Sequence, residues 1–536
     1  MVRKCGESGV IIITALFFVC FTVIGVRFFC IAGKQDNVSA AKLEQTFTLE
    51  VGKCQGTIYD RNMKPLVNAE TVRKAAAVPR LLDMESTAES AVNKEAFYSE
   101  FFKGRPFVYE CNEKAIESDG LTVFEVPVRY SKSQTARHVI GYLSDDSGAD
   151  GIEYAYDSVL RGELRSNSVS YKIDGFGQIL AGVRKEVFRT DDHKSGIVLT
   201  LDKDIQEICE KSGSSISTGA VVCADIKNGD ILAMASFPDY NPSDLGKALN
   251  DERCPLINRA LYSYSVGSVF KIVTAAAALE QDCGDILYEC SGMTDVAGKN
   301  FNCHKLDGHG IQDISQAMTN SCNTYFINLA RSLDIDEYRR TASYFGFGKE
   351  NYLCAGITGT GGVLPSKKEL QIPAELANFA FGQGKLTASP LQITQMTCAV
   401  ANKGKMPVLR LINGMTANGS DTVKSKESQL SAAMSAETAE KLREMMVLAI
   451  SGNENSKAKS NIVSIGAKTS TAQTGQYNSD GEELCHAWIT GFFPADAPKY
   501  ALTVFIENGG YGNDAAAPVF RSIAESIQKL NSKNKV

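Results

Sequence analysis

A continuous apolar run from Val10 to Ile31, with Arg27 as its one charged residue, constrains this chain more than any other feature. At about 1.5 Å of rise per residue, a helix of that length covers the roughly 30 Å hydrocarbon core of a bilayer. Arg27 lies near the far end, where a long basic side chain reaches the polar interface. No small-x-small cleavage site follows, so the segment is expected to stay as a signal-anchor rather than leave as a signal peptide. Arg3 and Lys4 favour a short cytoplasmic tail over residues 1–9, opposed on the other flank by Arg27 and Lys34. Residues 10–32 then form the transmembrane segment of a single-pass membrane protein, with the rest of the chain extracytoplasmic.

The 536 residues leave room for two or three domains. A hydrophobic content of 44% with 22% charged residues describes a globular chain able to bury a core. The net charge of −6 provides no basic surface for nucleic acid, which is excluded as a partner. Fifteen cysteines are many for an exported chain, and Cys5, Cys20 and Cys30 lie in or beside the apolar run. None forms a C-x-x-C pair. Cys290, Cys303, His304 and His309 do not fall into the two closely spaced ligand pairs typical of structural zinc, so no metal and no cofactor are expected. A Cys290–Cys303 disulfide is one pairing the sequence allows, and most cysteines are expected as small buried side chains.

Between about residues 40 and 190 lie strand-like pieces, Thr46–Val51 and Leu121–Val126, with a polar helix over Asn93–Phe102. No acid, base or nucleophile cluster appears there, so this part reads as a pedestal or pairing module. A polar stretch from Arg189 to Gly196 follows as a linker. Beyond Ile197, Gly219–Asp225 and Asp230–Ser236 read as two strands around Lys227-Asn228-Gly229, a strong hairpin signal. Helices are expected after Ser268, after Asn323 and over Ala436–Ile450. Strands follow around Lys468, over Ala487–Phe493 and over Tyr500–Ile506, then a helix over Pro518–Leu530. Strands near both ends of this part, with helices between, give an α+β fold: one antiparallel sheet flanked by helices.

The chemistry concentrates in three short motifs. In Ser268-Val269-Phe270-Lys271, spacing by three places a hydroxyl and an amine on one helical face, one turn apart. A lysine held out of water can take the serine proton and make it a nucleophile. Serine-x-x-lysine begins at Ser39, Ser268, Ser456, Ser526 and Ser532, so the bare pattern is weak. Ser268 alone follows a glycine turn and opens an apolar helix. Ser456 and Ser532 fall in polar sequence expected at the surface, and Lys529, paired with Ser526, is expected to face water. Ser321-Cys322-Asn323 adds a hydroxyl to relay a proton and an amide to hold a substrate carbonyl, while Cys322 points into packing. In Lys468-Thr469-Ser470-Thr471, period-two alternation puts Thr469 and Thr471 on one face, and Lys468 and Ser470 on the other. Threonine hydroxyls on a strand edge suit a substrate carboxylate, with the Lys468 charge behind them. The N–H groups of Ser268 and Thr471 would form an oxyanion hole.

These motifs, in this order, resemble the class B penicillin-binding proteins, the monofunctional peptidoglycan D,D-transpeptidases. Further blocks carry the likeness: Gly56-Thr57-Ile58-Tyr59-Asp60-Arg61-Asn62, His138-Val139-Ile140-Gly141-Tyr142 with Gly151-Ile152-Glu153, Gly382-Gln383-Gly384 with Pro390-Leu391-Gln392, and Ala487-Trp488-Ile489-Thr490-Gly491-Phe492. The resemblance implies a pedestal or dimerisation domain over 33–190 and a transpeptidase domain of the penicillin-binding, active-serine fold over 197–536. It implies acylation of Ser268 by a stem peptide ending in D-Ala-D-Ala, release of D-alanine, attack by a neighbouring amine to form a cross-link, and covalent acylation by β-lactams. Catalysis would rest on Ser268, Lys271, Ser321, Asn323 and Lys468, and substrate binding on Thr469, Ser470 and Thr471. The implied partner is a membrane glycan polymerase of the shape, elongation, division and sporulation (SEDS) group.

Three positions depart from the family pattern. Ser470 stands where the third motif has glycine, Val266 where proline precedes Gly-Ser, and Gln55 where the pedestal signature has arginine. Two other functions fit the same residues: a β-lactamase or D,D-carboxypeptidase, for which Glu375 is the nearest acidic candidate by sequence, or a β-lactam-binding scaffold without turnover.

Overall fold

The computed structural model describes residues 4–32, 46–162, 165–174, 176, 178–180, 182, 184–190 and 192–533. Arg3, Lys34 and Ser39 lie outside them. The apolar run is helical within α1 (Lys4–Ala32). Its Gly9–Ile31 span is long and apolar enough to cross a membrane, and none of it is buried among the described residues. Thr14 and Thr22 hydroxyls return to the carbonyls of Val10 and Phe18 at 2.8 and 2.7 Å, so polar side chains in the span are satisfied within the helix.

The chain divides into two compact units. One comprises the chain up to Gln55 with Glu70–Val128 and Glu163–Asp192; the other comprises Gly56–Ala69, Arg129–Gly162 and everything from His193 onward. A sequential division near residue 190 does not follow these contacts. The reason is visible in the second unit, where Arg129 grips Glu153 at 2.8 and 2.6 Å and donates to the Gly56 carbonyl at 2.5 Å. Asp60, fully buried, accepts from the N–H groups of Asn62, Lys64 and Lys203. The Gly56–Asn62 and Gly151–Glu153 blocks thus brace the second unit.

The first unit holds two small antiparallel sheets. Thr46–Cys54 pairs with Arg165–Lys172, which pairs with Glu186–Phe188; Glu70–Ala77 lies between Phe107–Glu110 and Leu121–Val128. Its polar helix runs over Lys94–Phe101, with the Asn93 side chain as N-cap accepting from Ala96 N–H. Phe97 packs edge-on against Phe107 and Tyr109.

The second unit is built on a five-stranded antiparallel sheet of β1 (Gly219–Asp225), β2 (Ile231–Phe237), β3 (Gly466–Tyr477), β4 (Glu483–Phe493) and β5 (Tyr500–Ile506), in spatial order β2-β1-β5-β4-β3. Val221, Cys223, Ile489 and Val504 pack in one core with residues of α2 (Lys203–Ser212) and of the closing helix. Ala220, Val222, Trp488 and Phe505 belong to another, with α3 (Lys271–Glu280), α4 (Asn323–Arg331) and α5 (Pro390–Ala401). Burial on both faces explains why these strands read as nearly unbroken apolar runs. Every residue of α5 is buried, and its Thr394 and Thr397 hydroxyls join Thr503 and Thr490 at 2.8 and 2.6 Å in a buried chain of hydroxyls.

α6 (Ala436–Ser451) packs against β3. The closing helix, α7 (Gly512–Lys533), begins six residues before the expected Pro518, which sits within it. Having no N–H, Pro518 leaves the Asp514 carbonyl without its usual helical partner, while Ala516, Ala517, Val519 and Phe520 are buried around it.

Candidate active site

Ser268 stands in a short 3-10 turn, Gly267–Phe270, that runs directly into α3. The sequence places Ser268 and Lys271 on one face of a helix that starts at the serine; the serine itself stands in the 3-10 turn that leads into that helix. A 3-10 turn has three residues per turn, which brings Ser268 and Lys271 closer to eclipse than α geometry does. Gly267 has φ 63°, and a Cβ there would lie 2.4 Å from Ser470 Oγ, so the turn needs glycine. Three hydrogen bonds pin it: Trp488 Nε1 donates to Ser265 O at 3.0 Å, Ser470 Oγ to Val266 O at 2.9 Å, and Gly267 N–H to Gly382 O at 2.8 Å. Trp488 and Gly382 come from blocks quoted above for resemblance alone, and their part in holding the nucleophile's turn was not legible there. Ser470 is buried beside Gly267, and Lys468 on the same strand face bonds Ser321 Oγ at 2.9 Å. Ser470 supplies the one side-chain donor in this set besides Trp488, at a turn lacking proline.

Ser470→Gly should therefore lower unfolding free energy by about 1–2 kcal/mol, from a lost hydrogen bond and a freer strand. The acylation rate should fall by less than about tenfold, since one such bond is worth about 1 kcal/mol. Denaturation together with labelled-penicillin kinetics reads both; a crowding Ser470 would instead make the glycine variant faster.

Lys271 is fully buried. Its Nζ donates to Ser321 O at 2.6 Å and Asn323 Oδ1 at 2.7 Å, and lies 3.3 Å from Ser321 Oγ. The Phe326 ring centroid is 5.6 Å away. Burial, then the charge of Lys468, push the Lys271 amine well below its ordinary range. Lys468, also buried, donates to Ser321 Oγ and Thr469 O, both at 2.9 Å, and burial brings its amine down to about 7. Ser321 Oγ is thus the hinge between two lysines. Ser268 itself is half-buried, and its hydroxyl makes no hydrogen bond to any described residue. Resting bonds of this kind commonly tighten only when substrate is bound.

Ser321 reaches this place through backbone strain. The helix Ile314–Thr319 ends in a Schellman motif: Cys322 N–H bonds Ala317 O at 3.0 Å and Ser321 N–H bonds Met318 O at 3.2 Å. Ser321 holds the left-handed position, φ 52°, where glycine is usual. That conformation costs about 1–2 kcal/mol for an L-residue and aims both Ser321 oxygens at Lys271. The next residue, Cys322, is fully buried and is the N-cap of α4, its sulfur 3.5 Å from Tyr325 N.

β3 is an edge strand, and it packs against the Ser268 turn. Its burial alternates as expected: Lys468, Ser470 and Ala472 are buried, Thr469 and Thr471 half-buried. Thr471 Oγ1 accepts from Gly512 N at 3.2 Å, leaving its hydroxyl proton to give. The lysines form the floor, and Ser268, Ser321, Asn323, Thr469 and Thr471 keep partial exposure around it. Of the other serine-x-x-lysine sites, Ser456 is buried, contrary to expectation, folded into a turn on Asn453 O, but Lys459 faces solvent. Ser532 and Lys529 are exposed as expected. Glu375 lies in the first turn of helix Pro373–Ala380 against Gly384, and makes no hydrogen bond to Ser268, Lys271 or Ser321 among the described residues.

The Penicillin binding protein transpeptidase domain family matches residues 219–525. The chain is 28% identical to stage V sporulation protein D of Bacillus subtilis (strain 168), over 97% of this chain and 84% of that protein. It is 30% identical to peptidoglycan D,D-transpeptidase MrdA of Acinetobacter baumannii, over 70% of this chain and 60% of that protein. The solved structure of penicillin-binding protein PBP2 from Helicobacter pylori shares the fold with a TM-score of 0.67 at 22% identity, covering 90% of this chain and 99% of that one.

Proposed function

This chain belongs to the penicillin-binding protein transpeptidase family, in its class B branch, and we propose that it cross-links peptidoglycan through an acyl-Ser268 intermediate. The observation that carries the assignment of residues is Lys271: a fully buried amine, held on Ser321 and Asn323, one turn from the Ser268 hydroxyl. Neutral Lys271 spends two N–H groups on Ser321 O and Asn323 Oδ1, which leaves its lone pair for the Ser268 proton. Ser268 Oγ then attacks the carbonyl between the two terminal D-alanines. The N–H groups of Ser268 and Thr471 hold the oxyanion, with the helix start of α3 adding a favourable field.

Ser321, between Lys271 and Lys468, passes the proton on to the departing D-alanine amine. Asn323 bonds the substrate amide, while Thr469, Ser470 and Thr471 form the strand on which the peptide lies. The Thr469 and Thr471 hydroxyls and charged Lys468 receive the terminal carboxylate. The amine of a second stem peptide then attacks the acyl ester, gives up a proton along the same path, and restores Ser268. A β-lactam presents the same carbonyl and carboxylate, and acylates the same oxygen.

α1 anchors the protein as a single-pass span, residues 1–9 inside and the catalytic unit outside. The strands and helices before residue 190 that belong to the first unit act as a pedestal, with the catalytic domain in the chain beyond Ile197. α1 and the pedestal are the surfaces offered to a SEDS-type glycan polymerase. The test is covalent labelling by penicillin: the adduct should sit on Ser268 and last minutes or longer. Rapid turnover of the drug would instead mark a β-lactamase, and wall growth unharmed by Ser268→Ala would mark a scaffold.

A further inference from the structure

Beneath the Ser321–Asn323 segment, four side chains distant in sequence converge. The ligand atoms of Cys290, Cys303, His309 and Cys322 all lie within 4.8 Å of one another. His309 Nδ1 is 3.6 Å from both Cys290 Sγ and Cys303 Sγ, and Cys303 Sγ is 3.8 Å from Cys322 Sγ. A tetrahedral zinc ion, bound at about 2.3 Å to sulfur and about 2.0–2.1 Å to nitrogen, holds sulfurs about 3.8 Å apart and sulfur and nitrogen about 3.6 Å apart. The Cys303–Cys322 spacing matches the first value, and the two spacings from His309 to Cys290 and Cys303 match the second. Disulfide geometry, with sulfurs about 2.05 Å apart, is not met by the Cys303–Cys322 pair.

The local fold builds this cluster deliberately. Tyr288–Cys290 pairs with Gly310–Gln312, and Met293–Val296 with Lys299–Asn302, so Cys290, Cys303 and His309 all stand at strand ends. Backbone bonds lock them: His309 N–H to Cys290 O at 3.0 Å and Cys303 N–H to Gly292 O at 2.8 Å. Gly308, at φ 77°, passes so close that a Cβ would lie 2.1 Å from Cys290 O. Around the sulfurs stand donors suited to thiolates: Thr324 Oγ1 donates to Cys290 Sγ at 3.1 Å, and Tyr325 N–H lies 3.5 Å from Cys322 Sγ. The three cysteines are buried and His309 half-buried, so the shell leaves no open position for substrate.

We propose that Cys290, Cys303, His309 and Cys322 bind one zinc ion, a structural centre that fastens the Ser321–Asn323 side of the active site to the hairpins beneath it. Three thiolates and an imidazole select zinc over magnesium or calcium, and four protein ligands mark a structural rather than catalytic centre. Binding releases the three thiol protons. Cys322 is thereby a positioning residue, since its neighbours Ser321 and Asn323 are the ones that hold Lys271. The sequence reading missed the site because its ligands are paired by hairpins rather than by short spacing, and because Cys322 was set down to packing.

The test is the metal content of the full-length protein, purified in detergent without chelator. Zinc should be present at about one ion per chain, as a four-ligand structural site requires. Cobalt(II) taken up by the apoprotein should give thiolate-to-cobalt charge-transfer absorption. His309→Ala should lose the ion, and Thr324→Ala should weaken binding by about 10–100-fold, the usual cost of removing an outer hydrogen bond. His304→Ala should keep it, because exposed His304 lies 3.9 Å from Cys303 Sγ and outside the cluster. Ser268→Ala should also keep it, so that failure of the zinc site and failure of the transpeptidase reading show separately. A wild-type protein with neither zinc nor a cobalt–thiolate band, a Cys290–Cys303 disulfide in the isolated protein, or full zinc binding by His309→Ala would each overturn the proposal.

Discussion

Lys271→Met should slow acylation of Ser268 by labelled penicillin about 10³-fold, within the range that loss of a general base produces. Methionine suits the test because it keeps the unbranched shape of the buried stem and removes only the amine. Among the described residues no second base stands ready. Lys468 is committed to Ser321 Oγ and Thr469 O, and Glu375 makes no hydrogen bond to the nucleophile. The cost to folding is smaller than a buried lysine suggests. Desolvation already disfavours the charged amine, so what is lost is its hydrogen bonds to Ser321 O and Asn323 Oδ1. Stopped-flow or gel-based acylation rates, with circular dichroism to show the fold, check the result. A variant that acylates at the wild-type rate would remove Lys271 from the mechanism.

The acylation rate of the wild-type enzyme should trace a bell against pH. Lys271 must be neutral to accept a proton, and burial followed by the Lys468 charge depresses its pKa, so activity rises with pH through that lowered value. Lys468 must be charged to hold a carboxylate, and its amine titrates at about 7, so activity falls as pH climbs beyond it. On the alkaline side the loss should approach about tenfold per pH unit, the slope of a single titration. Lys468→Arg, which stays charged, should flatten the alkaline limb while leaving the acid limb in place. A profile still rising at pH 9 in the wild type would show that the charge of Lys468 is not needed.

Much of this was legible in sequence because the relevant signals are local. The Asn228-Gly229 turn, the two strands around it and the alternation of Lys468 and Ser470 with Thr469 and Thr471 depend on near neighbours, and each appears as read. What could not be read depends on distant pairings. Ser470 reads only as a departure from the family's glycine, because its acceptor, Val266 O, lies some 200 residues earlier in the chain. Ser321 gave no sign of its left-handed backbone, since serine there is chosen for its oxygens against the local preference for glycine. Gly56–Asn62 reads as part of the first domain by position, but the Arg129–Glu153 grip draws it into the second unit.

Peptide mass spectrometry of the full-length protein after exposure to labelled penicillin tests the nucleophile most directly. The predicted spectrum has one penicilloyl group per chain, on the peptide containing Ser268, still present after minutes and missing from Ser268→Ala. A penicilloyl group on any other residue, or drug consumed with Ser268 left bare, would contradict the account.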